Sequence, residues 1–156
     1  MIERQLARPP RALLGVAARC PHGAPAVVRQ AGYLEGGEPF PTTFYLTCPA
    51  AVARLSALED AGGVERYRQL VETDAEAAAG YAWGAERQRE LRRPAPLMLD
   101  QGRSLTLGIG GTERAGAVKC LHAHVAFALA EPRYGLGRRM LDEAAPLFPP
   151  DRCCCA

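Results

Sequence analysis

The spacing of apolar residues changes character at Pro49, and that change limits the fold more than any single motif does. Before it, apolar residues come in short runs, Leu13 to Ala18, Ala26 to Gln30 and Thr42 to Thr47. These runs are separated by Pro21, Gly23 and Pro25 and by the turn sequence Glu35-Gly36-Gly37-Glu38-Pro39. Short β-branched or aromatic runs between such breakers read as strands, and three in succession fold most simply as an antiparallel meander. After it, Val52, Leu55 and Leu58 recur at helical spacing up to Gly62-Gly63, with Pro49 suited to a first helical position.

Further helices follow. Val64, Tyr67, Leu70 and Val71 predict one, and Thr73-Asp74-Ala75-Glu76 resembles a capping box that opens another, ending before Pro94. Its second half, Glu86 to Arg93, is charged nearly all round, which predicts a solvated face or else the contact surface for a protein partner. Ala117 to Ala130 is alanine-rich and apolar enough for a buried helix, and a short helix over Ile2 to Ala7 should stop before Pro9-Pro10. The expected fold is α+β: a small three-stranded antiparallel sheet covered by several helices, one domain over residues 1–150. Residues 151–156, with Cys153, Cys154 and Cys155, are expected to form a mobile tail.

Pro94 to Gly116 is harder to read. Leu105-Thr106-Leu107 suggests a strand. Gly108-Ile109-Gly110-Gly111 lacks the lysine of a phosphate loop and the full Rossmann glycine spacing, so a tight turn is the better reading.

Charge and hydropathy narrow the function. A net charge of +2, with basic residues scattered among acidic ones, does not provide a nucleic-acid footprint. No run approaches the roughly 20 apolar residues of a membrane span, and no signal-peptide core is evident, so a cytoplasmic location is expected. In a reducing compartment six cysteines point to metal or redox chemistry more than to disulfides.

All three histidines lie within four residues of a cysteine: His22 near Cys20, and His122 and His124 just after Cys120. Thiolate and imidazole suit a borderline-soft ion such as zinc, and Cys48 adds another separated thiol. An iron-sulfur cluster is the less favoured cofactor, because histidine ligation is uncommon there. If the helix already includes Cys120, His124 shares its face at i,i+4; if Cys120 lies in the approach, Cys120 and His122 can converge. Lys119, the only lysine, could favour a thiolate or hold an anion beside Cys120.

Arg8-Pro9-Pro10-Arg11, Arg19-Cys20-Pro21 with Gly23 and Pro25, Tyr45-Leu46-Thr47-Cys48-Pro49, Gly110-Gly111 and Val118-Lys119-Cys120-Leu121-His122 resemble the bacterial family called domain of unknown function 501. The resemblance runs from about Gln5 to Leu141. It implies no activity, but it ranks ligands: Cys20, Cys120 and His122 match motif positions, and the position of Cys48 can carry cysteine or histidine. Members are often encoded near genes for enolase, a septum-forming protein and an exopolyphosphatase.

The expected site is therefore a structural zinc centre of Cys20, Cys48, Cys120 and His122, with the three sulfurs about 4 to 5 Å apart. His124 and Lys119 are the outer-shell or alternative groups. Two other readings stay open: a metal-dependent hydrolase with an open position at the same cluster, and a non-catalytic adaptor linked to cell division. A thiol-redox enzyme ranks lower, for want of Cys-x-x-Cys.

Overall fold

The computed structural model describes residues 1–92 and 106–155. A short helix α1 (Ile2–Leu6) precedes three strands, β1 (Leu13–Arg19), β2 (Pro25–Gln30) and β3 (Phe44–Leu46), followed by helices α2 (Pro49–Asp60), α3 (Gly63–Thr73) and α4 (Ala75–Arg92). After residue 105 come α5 (Leu121–Ala130) and α6 (Gly135–Glu143). None of the described helices is long and apolar enough to cross a membrane.

The sheet is the expected meander, in the order β1-β2-β3 with both pairs antiparallel. Val28 pairs with Val16 on one side and Tyr45 on the other, so β2 is central, and most of its residues are buried. The edge strand β1 leaves Leu14 61% exposed. Because β1 and β3 run the same way, their ends flank the start of β2: the Cys20 amide donates to the Ala24 carbonyl, and the Thr47 and Cys48 amides to that of Ala26.

A short bridge between Tyr33 and Pro39 closes the predicted turn. The α5 helix forms the centre of the core: Leu121, Val125, Ala126, Phe127 and Ala128 are almost completely buried, as an all-round apolar helix must be. Phe127 meets Phe44 of β3 edge-on at 5.2 Å and Tyr134 at 5.4 Å.

α6 was not anticipated. It packs Leu136 and Met140 against the core one turn apart, and its glycine at 137 lets it approach α5. A Cβ on Gly137 would lie 2.6 Å from the His124 carbonyl oxygen and 2.6 Å from the Tyr134 ring.

Three local expectations need correction. Thr73 does not open α4; it ends α3, with its hydroxyl on the Gln69 carbonyl, and Asp74 is the cap, accepting from the Ala77 amide at 2.7 Å. The second half of α4 is not solvated all round, since Gln88 and Arg92 are buried. Gln88 donates to the carbonyls of Leu107 and Gly108, and Arg92 to those of Gly32, Phe40 and Pro41, so these buried donors tie α4 to the two neighbouring loops. Among the described residues of that stretch, the outer Glu86, Arg87, Arg89 and Glu90 form the charged face, paired at i,i+3.

Thr106 lies in a 3₁₀ turn and Leu107 outside any strand, whereas Leu105, Pro94 and the other residues from 93 to 105 fall outside the described part. Gly108 to Thr112 is the expected tight turn, with Gly110 and Gly111 at φ 75° and 74°. Trp83 on α4 stacks on Tyr134 at 6.4 Å beneath the Arg133 guanidinium.

Candidate metal centre

On one face of α2 the Val52 carbonyl, Ser56 and Glu59 line up at i, i+4 and i+7, the recurrence of a helical stripe. Across from it α5 begins. Cys120 is the N-cap of α5 in extended conformation, φ −159° and ψ 124°, and its side chain makes no capping hydrogen bond. The cap comes from α2 instead: Glu59 Oε1 accepts from the Leu121 amide at 2.6 Å. An acidic side chain suits a helix N-terminus electrostatically, and this one also satisfies a donor that would otherwise have none.

His122 completes the group. Its Nδ1 lies 3.0 Å from Glu59 Oε1, and its Nε2 lies 3.1 Å from the Val52 carbonyl and 3.4 Å from Ser56 Oγ. A carbonyl oxygen can only accept, so Nε2 carries a proton, and Nδ1 is the nitrogen that faces Glu59. Donor atoms of Glu59, Cys120 and His122 all lie within 4.8 Å of one another, the one such group of three or more among the described residues.

The electrostatics fit three groups sharing charge. The neighbouring Cys120 thiol, against the opposing effect of burial and with help from Glu59, lifts His122 to about 9. Burial works to raise Glu59, but His122, the Leu121 amide and Cys120 together hold it below the ordinary carboxylate value. That shift favours the imidazolium form of His122 near neutral pH, held between Glu59 and the Val52 carbonyl.

Of the four expected ligands, Cys120 and His122 come together, and Cys20 and Cys48 stand outside their group. The reason lies in the sheet. It delivers Cys20 and Cys48 to the ends of β1 and β3, with Cys48 ahead of the first turn of α2, whereas Cys120 and His122 lie along the Val52-to-Glu59 face of that helix. Cys48 is the N-cap of α2, one turn ahead of Val52, and its sulfur faces Cys154 at 3.4 Å.

His124 turns inward. It is completely buried, with Nδ1 on the Tyr134 hydroxyl at 2.6 Å and Nε2 lacking a hydrogen-bond partner. Lys119 is exposed and donates to the Gly111 carbonyl, and His22 meets the Pro149 carbonyl. Cys120 as an N-cap settles the geometric choice left open by spacing: a residue ahead of the first turn need not obey helical periodicity, so His122 is the histidine beside Cys120.

Glu59 was missed. A signal for it exists: Glu59 and Asp60 place two acids in the last turn of α2 with no basic residue there, against the helix dipole. A local rule broken without local compensation often marks a site satisfied from elsewhere in the chain.

No curated protein and no solved structure matches the chain. Residues 16–142 match the family described as "Protein of unknown function (DUF501)", a span that includes both the Glu59 end of α2 and the Cys120-x-His122 start of α5. The chain belongs to the DUF501 family.

Proposed function

We propose that this is a cytoplasmic metal-binding protein whose zinc ion is held by a carboxylate oxygen of Glu59, the sulfur of Cys120 and Nδ1 of His122, tying the end of α2 to the start of α5. The observation that carries the reading is the orientation of His122. Its Nε2–H is engaged by a backbone carbonyl, the outer-shell arrangement typical of metal-bound histidine, which directs Nδ1 at Glu59 and Cys120. Oxygen, nitrogen and sulfur donors together suit zinc better than harder cations. Binding would displace the Nδ1 proton and the Cys120 proton, so the ion would replace the imidazolium as the link between the helices.

Three protein ligands leave a fourth position for water, which keeps a metal-dependent hydrolase as the second reading; the observation favouring it is that Glu59 and His122 remain 25% and 21% exposed. The structural role is preferred because the candidate proton-transfer groups point elsewhere, Lys119 to Gly111 and His124 into the core. A cavity of about 1050 Å³ lies at the other end of the sheet, against Arg11, Leu14, Arg29 and Tyr33, away from this group.

The test is elemental analysis of protein purified without added metal, expected to give close to one zinc per chain. E59Q, C120S and H122A should each lose it, while C20S and C48S keep it. Metal lost in C20S or C48S but retained in E59Q, or no metal in freshly purified reduced protein, would overturn the assignment.

A further inference from the structure

The last residues return to the sheet end that holds Cys20 and Cys48. His22 Nε2 meets the Pro149 carbonyl at 2.9 Å, and Gln5 Nε2 donates both to the Pro25 carbonyl and to Cys155 Sγ, at 2.9 and 3.0 Å. Between these two anchors Cys154 lies over the start of α2, its sulfur 3.4 Å from that of Cys48 and 3.6 Å from that of Cys155. Cys48 is buried and Cys154 exposed, so a reagent in solution reaches the pair through Cys154.

We propose that Cys154 and Cys48 form a peroxide-reactive thiol pair, in which Cys154 is the attacking sulfur and Cys48 the resolving one, and that the resulting disulfide staples the chain end to the first turn of α2. This is independent of the metal centre, which uses neither residue.

The chemistry balances with a small hydroperoxide as oxidant. The Cys154 thiolate attacks one peroxide oxygen and the O–O bond breaks; the leaving oxygen takes a proton from water, which gives a sulfenic acid and an alcohol or water. Cys48 then attacks the sulfenic sulfur. The S–O bond breaks, and the departing hydroxide leaves as water with the Cys48 proton, so two thiols lose two electrons to the peroxide.

The electrostatics assign the two roles. Burial works to raise Cys154, yet the Ala50 amide at the start of α2 and the neighbouring Cys48 and Cys155 thiols hold it below the usual thiol value. Burial pushes Cys48 up to about 11, so it stays protonated until the sulfenic acid is beside it. Cys155 is a poor alternative partner for Cys154: neighbouring α-carbons are about 3.8 Å apart, shorter than the roughly 4.4–6.8 Å that disulfides favour.

The experiment treats dilute, reduced full-length protein with one equivalent of hydrogen peroxide, quenches it by alkylation, and compares free thiols and tryptic peptides. The expected result is a loss of two of the six thiols of the chain, a monomer on a non-reducing gel, and a dithiothreitol-reversible link between peptides 30–54 and 153–156. C154S should form that link at least tenfold more slowly, and C153S at the normal rate. Because Cys154 is exposed, its replacement leaves the fold intact even if that of buried Cys48 does not. A link that survives in C154S, a disulfide between chains, or oxidation that runs to sulfinic acid without any link would refute the pairing.

Discussion

Replacing Glu59 with alanine removes two interactions at once, and the structure separates their sizes. The Leu121 amide loses its acceptor at the α5 N-terminus, where the cap residue Cys120 offers no side-chain substitute; losing such a cap costs about 1 kcal/mol. The pair with His122, at 3.0 Å and with side chains about a quarter exposed, contributes roughly 0.5–1 kcal/mol after solvent screening. Removing an acid from the last turn of α2 returns about 0.3 kcal/mol through the helix dipole. The net loss is about 1.5 kcal/mol, or about 3–6 °C in Tm for a domain of this size.

In E59Q the amide oxygen can still accept from Leu121, so the cap survives and the loss is about half as large. The assay is thermal unfolding in excess chelator, which removes any metal contribution and leaves only these interactions. If E59A unfolds within about 0.5 kcal/mol of the parent chain, or E59Q is as damaged as E59A, Glu59 is not the cap of α5 and the reasoning fails.

Two further outcomes are expected. G137A should cost about 1–3 kcal/mol in denaturant unfolding despite alanine's better helix propensity, because the clash at 2.6 Å is with backbone that cannot give way, whereas G135A, with no atom within 4 Å of the new Cβ, should be neutral or stabilising. Burial holds His124 down to about 4, against about 6.5 unfolded, so the unfolded chain binds the extra proton between those values; the contribution of a neutral His124 is fully present above pH 6.5 and falls by up to about 3 kcal/mol as pH drops toward 4. That slope should vanish in H124L, and a slope unchanged by the substitution would clear His124 of the effect.

The sheet could be read from the chain because each strand is bounded by residues that permit little else: Pro25 starts β2, and Gly36-Gly37 allows the turn before β3. The α2 helix was readable for the same reason, with Pro49 at its first position and Gly62 just past its end. The α6 helix was hidden because its first turn contains Gly135 and Gly137, which usually mark loops; Gly137 is there for the ring of Tyr134 and the carbonyl of His124, neighbours that only the fold supplies.

The burial of Gln88 and Arg92 was equally unreadable, since the carbonyls these two side chains serve are brought to them by tertiary structure. At the candidate centre, Cys120 and His122 stood out because they are two residues apart and chemically rare. Glu59 belongs to a different helix and is one of many acids, so nothing local connects it to them.

The stacking of Trp83 on Tyr134 makes this protein its own optical reporter. Trp83 is the single tryptophan of the chain, and it sits where α4 meets Tyr134 at the head of α6. Its emission will follow the separation of α4 from Tyr134 and from the Arg133 guanidinium above the ring. Far-ultraviolet circular dichroism follows the whole backbone, so the two signals recorded on one sample will coincide if the helical layer and the sheet melt as one unit and will part if the helices leave first.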